Sequence, residues 1–373
     1  VGDPSRGRTL VVTAGIHGNE PAGVFAVQRV LARCRALGLA MRGQLVALAG
    51  NRAALRAGVR FVERDLNRRW HADALARLQQ RAVAGEGPEL SAEDREQAEL
   101  HATFRALAAQ ATAPLACLDL HSFSGPGAPF ACMADTLANR AMSRHLPLPV
   151  ILGLEEIIDG SMLGDLTDRG HAGVAVEGGR HDDPATVDGL ETTVWTVMTT
   201  LGLLHTSELP GYWERRRQLA ARAAGLPRIV EVLHRHVVAP DDGFAMRPGF
   251  SSFQPIARGQ PLADDRGGVI AAPRAGLMLL PRYQGQGEDG FFIARAVDRR
   301  WLRAADVARR VGLDRLAARL PGVRRAPELP DGLLVVPHRA ASVRVELLRM
   351  LGYRRAESRD GLLVLQRRRQ RAR

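Results

Sequence analysis

The chain has 373 residues, 46% hydrophobic and 25% charged, a globular composition with room for two or three domains. No apolar run approaches the roughly 20 residues of a membrane-spanning helix, and Val1 to Arg8 carry no signal-peptide apolar stretch; the expectation is a cytoplasmic protein with no membrane partner. Net charge is +12, but residues 301–373 hold 18 Arg against 7 acidic side chains, which leaves only +1 for residues 1–300. There is no lysine. The three cysteines, Cys34, Cys117 and Cys132, are odd in number and lack CxxC spacing, and read as buried free thiols of a reducing compartment.

Residues 8–205 alternate between strand and helix patterns, which predicts an α/β domain around a mostly parallel mixed sheet flanked by helices. Strands are expected at 9–14, 44–49, 115–120, 149–152 and 172–177. Helices are expected at 21–36, 72–84, 92–111, 134–144 and 187–203. Ser91 suits the N-cap of the helix at 92–111, with Glu93 and Asp94 in its first turn. Glu208–Ala224 reads as a charged connector. Short β-rich runs separated by turn signals then fill 228–298, and residues 301–373 read as an α+β extension ending in an Arg-rich tail. The expected division is 1–207 catalytic, 208–300 a smaller β-rich domain that caps the site, and 301–373 an Arg-rich extension of unassigned role.

The chemistry-bearing residues cluster at predicted strand ends, where open α/β sheets place their ligand crevice. His17 and Glu20 follow the run Leu10–Thr13, and Pro21 suits the first helical position. His121 ends the apolar run Pro114–Leu120. Two ligands close in sequence plus one remote histidine is the plan of a catalytic zinc with an open position. Asp119, two residues before His121, lies on the same strand face and is placed to orient it. Read blandly, both histidines are ordinary loop or strand-end residues. Glu177, between an apolar run and Gly178-Gly179, is a candidate general base with a raised pKa, or else a turn carboxylate. In Arg60–Trp70, the Asn67–Arg68 pair offers a guanidinium fork and an amide donor for a carboxylate, against the bland reading of a solvated basic loop. Asp65 suits a turn.

Four motifs then occur together in order: Gly15–Pro21 with its His-Gly-Asn-Glu core, Gly50-Asn51 followed by Arg60 and Asp65-Leu66-Asn67-Arg68, Asp119-Leu120-His121-Ser122, and Val176-Glu177-Gly178. In these the chain resembles the succinylglutamate desuccinylase/aspartoacylase family, over about residues 9–300. The resemblance implies a zinc carboxypeptidase-like fold and one zinc ion per chain. His17, Glu20 and His121 resemble the zinc ligands, Glu177 the general base, and Arg60 the arginine that stabilises the oxyanion. Asn67 and Arg68 resemble the substrate-carboxylate pair, and Tyr283 aligns loosely with a tyrosine that the second domain lends to the pocket. The sequence after Glu177, the Arg after Asn51 and the whole of 301–373 depart from the family pattern.

The implied activity is metal-assisted hydrolysis of the amide of a small N-acylated amino acid or related carboxylate-bearing amide. Three other readings stand beside it: a zinc carboxypeptidase acting on peptides, a nucleic-acid binder working through the Arg tail, and a non-catalytic ligand binder. The near-neutral catalytic region and the tail's lack of interleaved aromatics speak against nucleic acid. Self-association is left open.

Overall fold

A computed structural model describes residues 1–83, 90–326, 329, 332–335, 341–359 and 362–367. The strands are β1 Arg8–Ala14, β2 Gly43–Ala49, β3 Ala116–Phe123, β4 Phe130–Cys132, β5 Val150–Leu152, β6 Ala172–Arg180, β7 Ile229–Val237, β8 Ala245–Met246, β9 Pro255–Ile256, β10 Pro261–Asp265, β11 Gly268–Ala271, β12 Gly276–Leu279 and β13 Asp289–Ala296. The extension adds β14 Val323–Arg325, β15 Gly332–Val335, β16 Tyr353–Arg359 and β17 Leu362–Arg367. The helices are α1 Ala22–Ala36, α2 Arg52–Ala57, α3 Ala72–Val83, α4 Ala92–Gln110, α5 Leu137–Ser143, α6 Leu154–Ile157, α7 Met162–Asp168, α8 Pro184–Thr200, α9 Tyr212–Ala221, α10 Arg299–Arg310 and α11 Ala341–Met350.

Ten strands form one mixed sheet in the order β2-β1-β3-β6-β4-β5-β7-β13-β12-β9. The β2-β1-β3-β6 block is parallel, β4 runs antiparallel to β6, and the β7-β13-β12-β9 edge is antiparallel. This is the expected fold class. The strands at 229–237 and 289–296 hydrogen-bond into the same sheet, while β8, β10 and β11 form a separate small one that shares an apolar cluster with β9, β12 and β13 of the main sheet. The central strands are apolar on both faces because helices cover both. Leu10, Val12, Leu118 and Val176 pack towards α1 and α8; Val11, Cys117 and Ala175 pack on the opposite side with Leu100 and Phe104 of α4. Cys34, Cys117 and Cys132 are buried and unpaired, as the spacing predicts.

Several local readings needed correction. Glu208–Ala224 is not a bare connector: it contains α9, which buries Tyr212 and Leu219 in the main core. The short elements β4, α6 and α7 carry too few residues to show a period. The terminal arginines 368–373 lie outside the described residues. Among the described residues, no helix is long and apolar enough to cross a membrane.

The extension forms a four-stranded antiparallel sheet, β14-β15-β17-β16, with its own apolar cluster. It is held to the main sheet's helices by buried charge. Asp135 accepts from Arg140 Nε at 2.6 Å and from Arg309 NH1 at 3.1 Å, and Arg140 NH1 reaches Asp306 at 2.6 Å. Removing one partner of such a group leaves the others charged and enclosed, which typically costs about 3–5 kcal/mol. Asp135→Ala is therefore expected to destabilise the chain on that scale in urea unfolding; a loss under about 1 kcal/mol would contradict the role given to this ion cluster.

Candidate active site

The site grows from the turn after β1. Gly15 takes φ +69°, which reverses the chain at low steric cost. Gly18 packs so closely on α2 that a Cβ there would lie 2.0 Å from the Ala54 carbonyl carbon. These two glycines press the His17–Glu20 segment against the sheet end and aim both side chains inward, where both are buried.

Glu20 is the hub. Its Oε1 lies 2.9 Å from His17 Nδ1, and its Oε2 lies 3.0 Å from His121 Nδ1 and accepts from the Ser122 backbone N–H at 3.1 Å. Each imidazole is anchored at its other nitrogen by a second buried carboxylate. His17 Nε2 is 3.2 Å from Asp65 Oδ1, and His121 Nε2 is 2.9 Å from Asp119 Oδ2. Asp119 is in turn fixed by the Thr13 hydroxyl at 2.6 Å, across the β1–β3 pairing. Burial alone would raise the Glu20 carboxyl, but the two histidines hold it well below the usual carboxylate range. Asp65 is held low against burial by His17 and Arg60, and His121 is raised against burial by Asp119 and Glu20.

Among the described residues, His17, Glu20 and His121 form a group able to hold a metal ion, with ligand atoms within 4.8 Å of one another. Two imidazole nitrogens and one carboxylate oxygen are a donor set of borderline softness, suited to zinc. Carboxylates behind both rings are the usual support for such ligands. The residues therefore fit the cation that the sequence motifs imply.

Glu177 sits beside His121, paired with it across β3 and β6. It keeps some exposure through the cavity, yet its Oε2 is enclosed and, among the described residues, has no hydrogen-bond partner. Burial pushes its carboxyl up to about 8, while His121 and Arg60 pull the other way and Glu20 and Asp119 add to the rise. A carboxyl so placed is a better proton acceptor than an ordinary glutamate.

Arg60, Asn67 and Arg68 line the same cavity of about 120 Å³ as His17, Glu20, His121 and Glu177. Arg60 is clamped by Asp65 Oδ2 through Nε at 3.2 Å and NH2 at 3.1 Å, with NH1 3.5 Å from Glu20 Oε1. Asn67 Oδ1 accepts from the Met162 N–H at 2.8 Å. Arg68 NH2 donates to Asp289 at 2.6 Å, while its buried Nε has no partner among the described residues. Tyr283 is not brought in: its hydroxyl donates to the carbonyls of Arg247 and Phe250, 3.0 and 3.1 Å away, and accepts from the Phe250 N–H.

Some contributors are absent from the sequence reading. Asp65 does cap its turn, accepting from the Asn67 N–H at 2.9 Å, but it also holds His17. Glu93 does more than open α4: its carboxylate gathers the backbone N–H groups of Val62, Glu63 and Arg64 and the Asn51 amide, and so shapes the Arg60 loop. Asp289 and Gln284 come from the far end of the chain. Gln284 accepts from Asn19 at 2.8 Å, and Gln286 accepts from the Arg60 N–H at 3.1 Å, which ties the 281–287 loop over the His17–Glu20 turn. A polar, glycine-rich loop signals a turn but not which turn it covers.

Residues 6–144 match the family described as Succinylglutamate desuccinylase/Aspartoacylase catalytic domain. A succinylglutamate desuccinylase of Pseudomonas paraeruginosa is 38% identical over 68 residues, which is 18% of this chain and 20% of the relative. The matched stretch thus spans about a fifth of that curated relative's length. Among solved structures, a succinylglutamate desuccinylase/aspartoacylase from Rhodobacter sphaeroides superposes with TM-score 0.56 at 17% identity, covering 80% of this chain and 87% of that one. The ectoine utilization protein of Ruegeria pomeroyi superposes with TM-score 0.52 at 20% identity, covering 78% and 85%. These likenesses establish a shared fold. Residues 6–144 thus match the succinylglutamate desuccinylase/aspartoacylase catalytic-domain family model, and about four-fifths of the chain shares the fold of solved structures bearing that name.

Proposed function

We propose that the protein is a zinc-dependent hydrolase that cleaves the amide bond of a small N-acylated amino acid or a related carboxylate-bearing amide. The observation that carries this reading is the meeting, in one cavity, of the His17–Glu20–His121 group with the enclosed, unpartnered Glu177 carboxyl. The names of the similar proteins point the same way.

His17 Nδ1, Glu20 and His121 Nδ1 would hold one zinc ion per chain. Zinc in such a site supplies a Lewis acid that acidifies water and polarises an acyl carbonyl. Glu177 takes the proton of the attacking water and returns it to the leaving nitrogen, so the amine departs neutral. Arg60, kept rigid by Asp65, presents NH1 to the oxygen that gains charge as the acyl carbon becomes tetrahedral. The Arg68 Nε–H and the Asn67 amide hold a substrate carboxylate and fix its register. Gln284 and Gln286 tie the overlying loop to Asn19 and to the Arg60 backbone.

The small cavity favours a compact amide over a peptide chain, so the peptidase reading ranks second. The Arg-tail reading concerns residues 367–373, of which Arg367 ends β17 with its guanidinium over the Tyr353 ring and the rest lie outside the described residues. A site with base, clamp and ligand group all present speaks against a role in binding alone.

Glu177→Gln is expected to keep stoichiometric zinc and lose roughly 10²–10⁴-fold in kcat, read by metal analysis and by amine release from a panel of N-acyl amino acids. Near-normal turnover by that variant would remove Glu177 as the base. His17→Ala is expected to lose the metal itself. Arg68→Ala should raise KM about tenfold or more, the scale of one lost charged hydrogen bond, with a smaller change in kcat.

A pH prediction follows from the burial of Glu177. In chelator-treated protein the folded-state carboxyl sits near 8, above its unfolded value near 4.5, so folding favours the protonated form. Its contribution is intact below the unfolded value and fades as pH rises towards 8. The stability of wild type relative to Glu177→Gln should therefore fall across that window in urea titrations. A rise over the same window would contradict the assignment.

A further inference from the structure

A second cavity lies on the other side of the main sheet, where α10 of the extension packs over α5. Its volume is about 360 Å³. Its floor is apolar, formed by Met133, Leu137, Val150 and Ile229. Its walls carry guanidinium groups from two directions: Arg144, just past the end of α5, and Arg303 with Arg310, seven positions apart and therefore on one face of α10.

The charge balance of this cavity is uneven. Arg140 and Arg309, the two buried arginines of the junction, are both matched by Asp135, and Asp306 is spoken for by Arg140. Asp306 sits three residues after Arg303 and four before Arg310, at spacings that permit helix ion pairs, yet it turns to Arg140 and pairs with neither. Among the described residues, no carboxylate lies within ion-pairing distance of Arg144, Arg303 or Arg310. Arg228, also on the wall, gives its guanidinium to the carbonyls of Leu146 and Leu148. Three unmatched positive charges thus converge on a concave space with an apolar base. Solvated arginines on a convex surface spread apart; these are gathered by two separate elements into one hollow of ligand size.

We propose that this junction cavity is a binding site for an organic polyphosphate of about mononucleotide size. Guanidinium groups from α10 and from the end of α5 engage more than one phosphoryl group through charge-assisted hydrogen bonds. The apolar floor receives the base or other apolar body. The site needs the extension: without α10 neither Arg303 nor Arg310 is present, which gives residues 299–310 a use that the hydrolase site does not call on.

The test is equilibrium binding of ATP, ADP, pyrophosphate and inorganic phosphate to the full chain, by calorimetry at physiological ionic strength. ATP or ADP is expected to bind more tightly than pyrophosphate, and pyrophosphate more tightly than phosphate. The Arg303→Ala/Arg310→Ala double variant, and separately Arg144→Ala, should weaken nucleotide binding about tenfold or more, the scale of a lost charged hydrogen bond. Arg303→Glu should abolish it. All three positions are exposed, so unfolding midpoints, zinc content and amine release should stay at wild-type values in these variants. The proposal is overturned if no nucleotide or pyrophosphate binds below about 1 mM, or if the arginine variants bind as wild type does, which would place the anion at the metal centre or elsewhere. Tighter binding of a single-stranded oligonucleotide than of ATP, lost in the same variants, would overturn it in favour of a nucleic-acid surface.

Discussion

The carboxylate of Glu20 is the constraint on which the site rests. It is buried between two imidazole rings, each of which is pinned from behind by a second buried acid, Asp65 or Asp119. No member of this chain of contacts can be enclosed alone: an unpaired ion or polar group buried here would cost several kcal/mol. The group is stable only when all five side chains arrive together, or when a cation takes up the negative charge they present. Structure and chemistry therefore coincide. The arrangement that lets these residues be buried is also the one that aims two nitrogens and an oxygen at a common point.

The rest of the fold supplies and protects that point. Pairing β3 with β6 in parallel sets Glu177 beside His121, close enough to serve the same substrate and far enough to stay unpaired. The loop after α2 is shaped by Glu93, which collects three backbone N–H groups and so lets Arg60 reach back to Asp65 and Glu20. The antiparallel edge brings Asp289 to Arg68, and Arg235 to Asp289. Arg68 is thus held in place before any ligand enters, which reduces the cost of ordering it on binding. A cavity with fixed donors suits a small, charged ligand.

The extension shows how charge can join two cores. Asp135, Arg140, Arg309 and Asp306 form a mostly buried ion cluster between them. Such a cluster adds little net stability over an apolar contact, but breaking one of its pairs is costly. The junction lines up Arg144 with Arg303 and Arg310. The excess positive charge of the C-terminal region, which in sequence reads as a tail property, is partly gathered into a defined hollow.

Much of this was legible in the chain itself. The apolar runs before His17, His121 and Glu177 announce strands; His17 lies just past β1, but β3 and β6 run on to Phe123 and Arg180, so His121 and Glu177 lie within their strands and not beyond their ends. Ser91 and Asp65 act as the caps their residue types predict, and Asp119 stands behind His121 as its spacing suggests. Sequence determined these because they depend on local periodicity, turn chemistry and side-chain direction. It could not show that Asp65 meets His17, that Glu93 builds the Arg60 loop, that Asp289 faces Arg68, or that Tyr283 turns away to Arg247 and Phe250. Each of those contacts joins residues brought together by strand order or loop packing, with no period to mark them. The residue types came from the sequence; which charge each one would meet was decided only when the strands paired, because the energy of a buried ion depends on its neighbours in space and not on its neighbours in the chain.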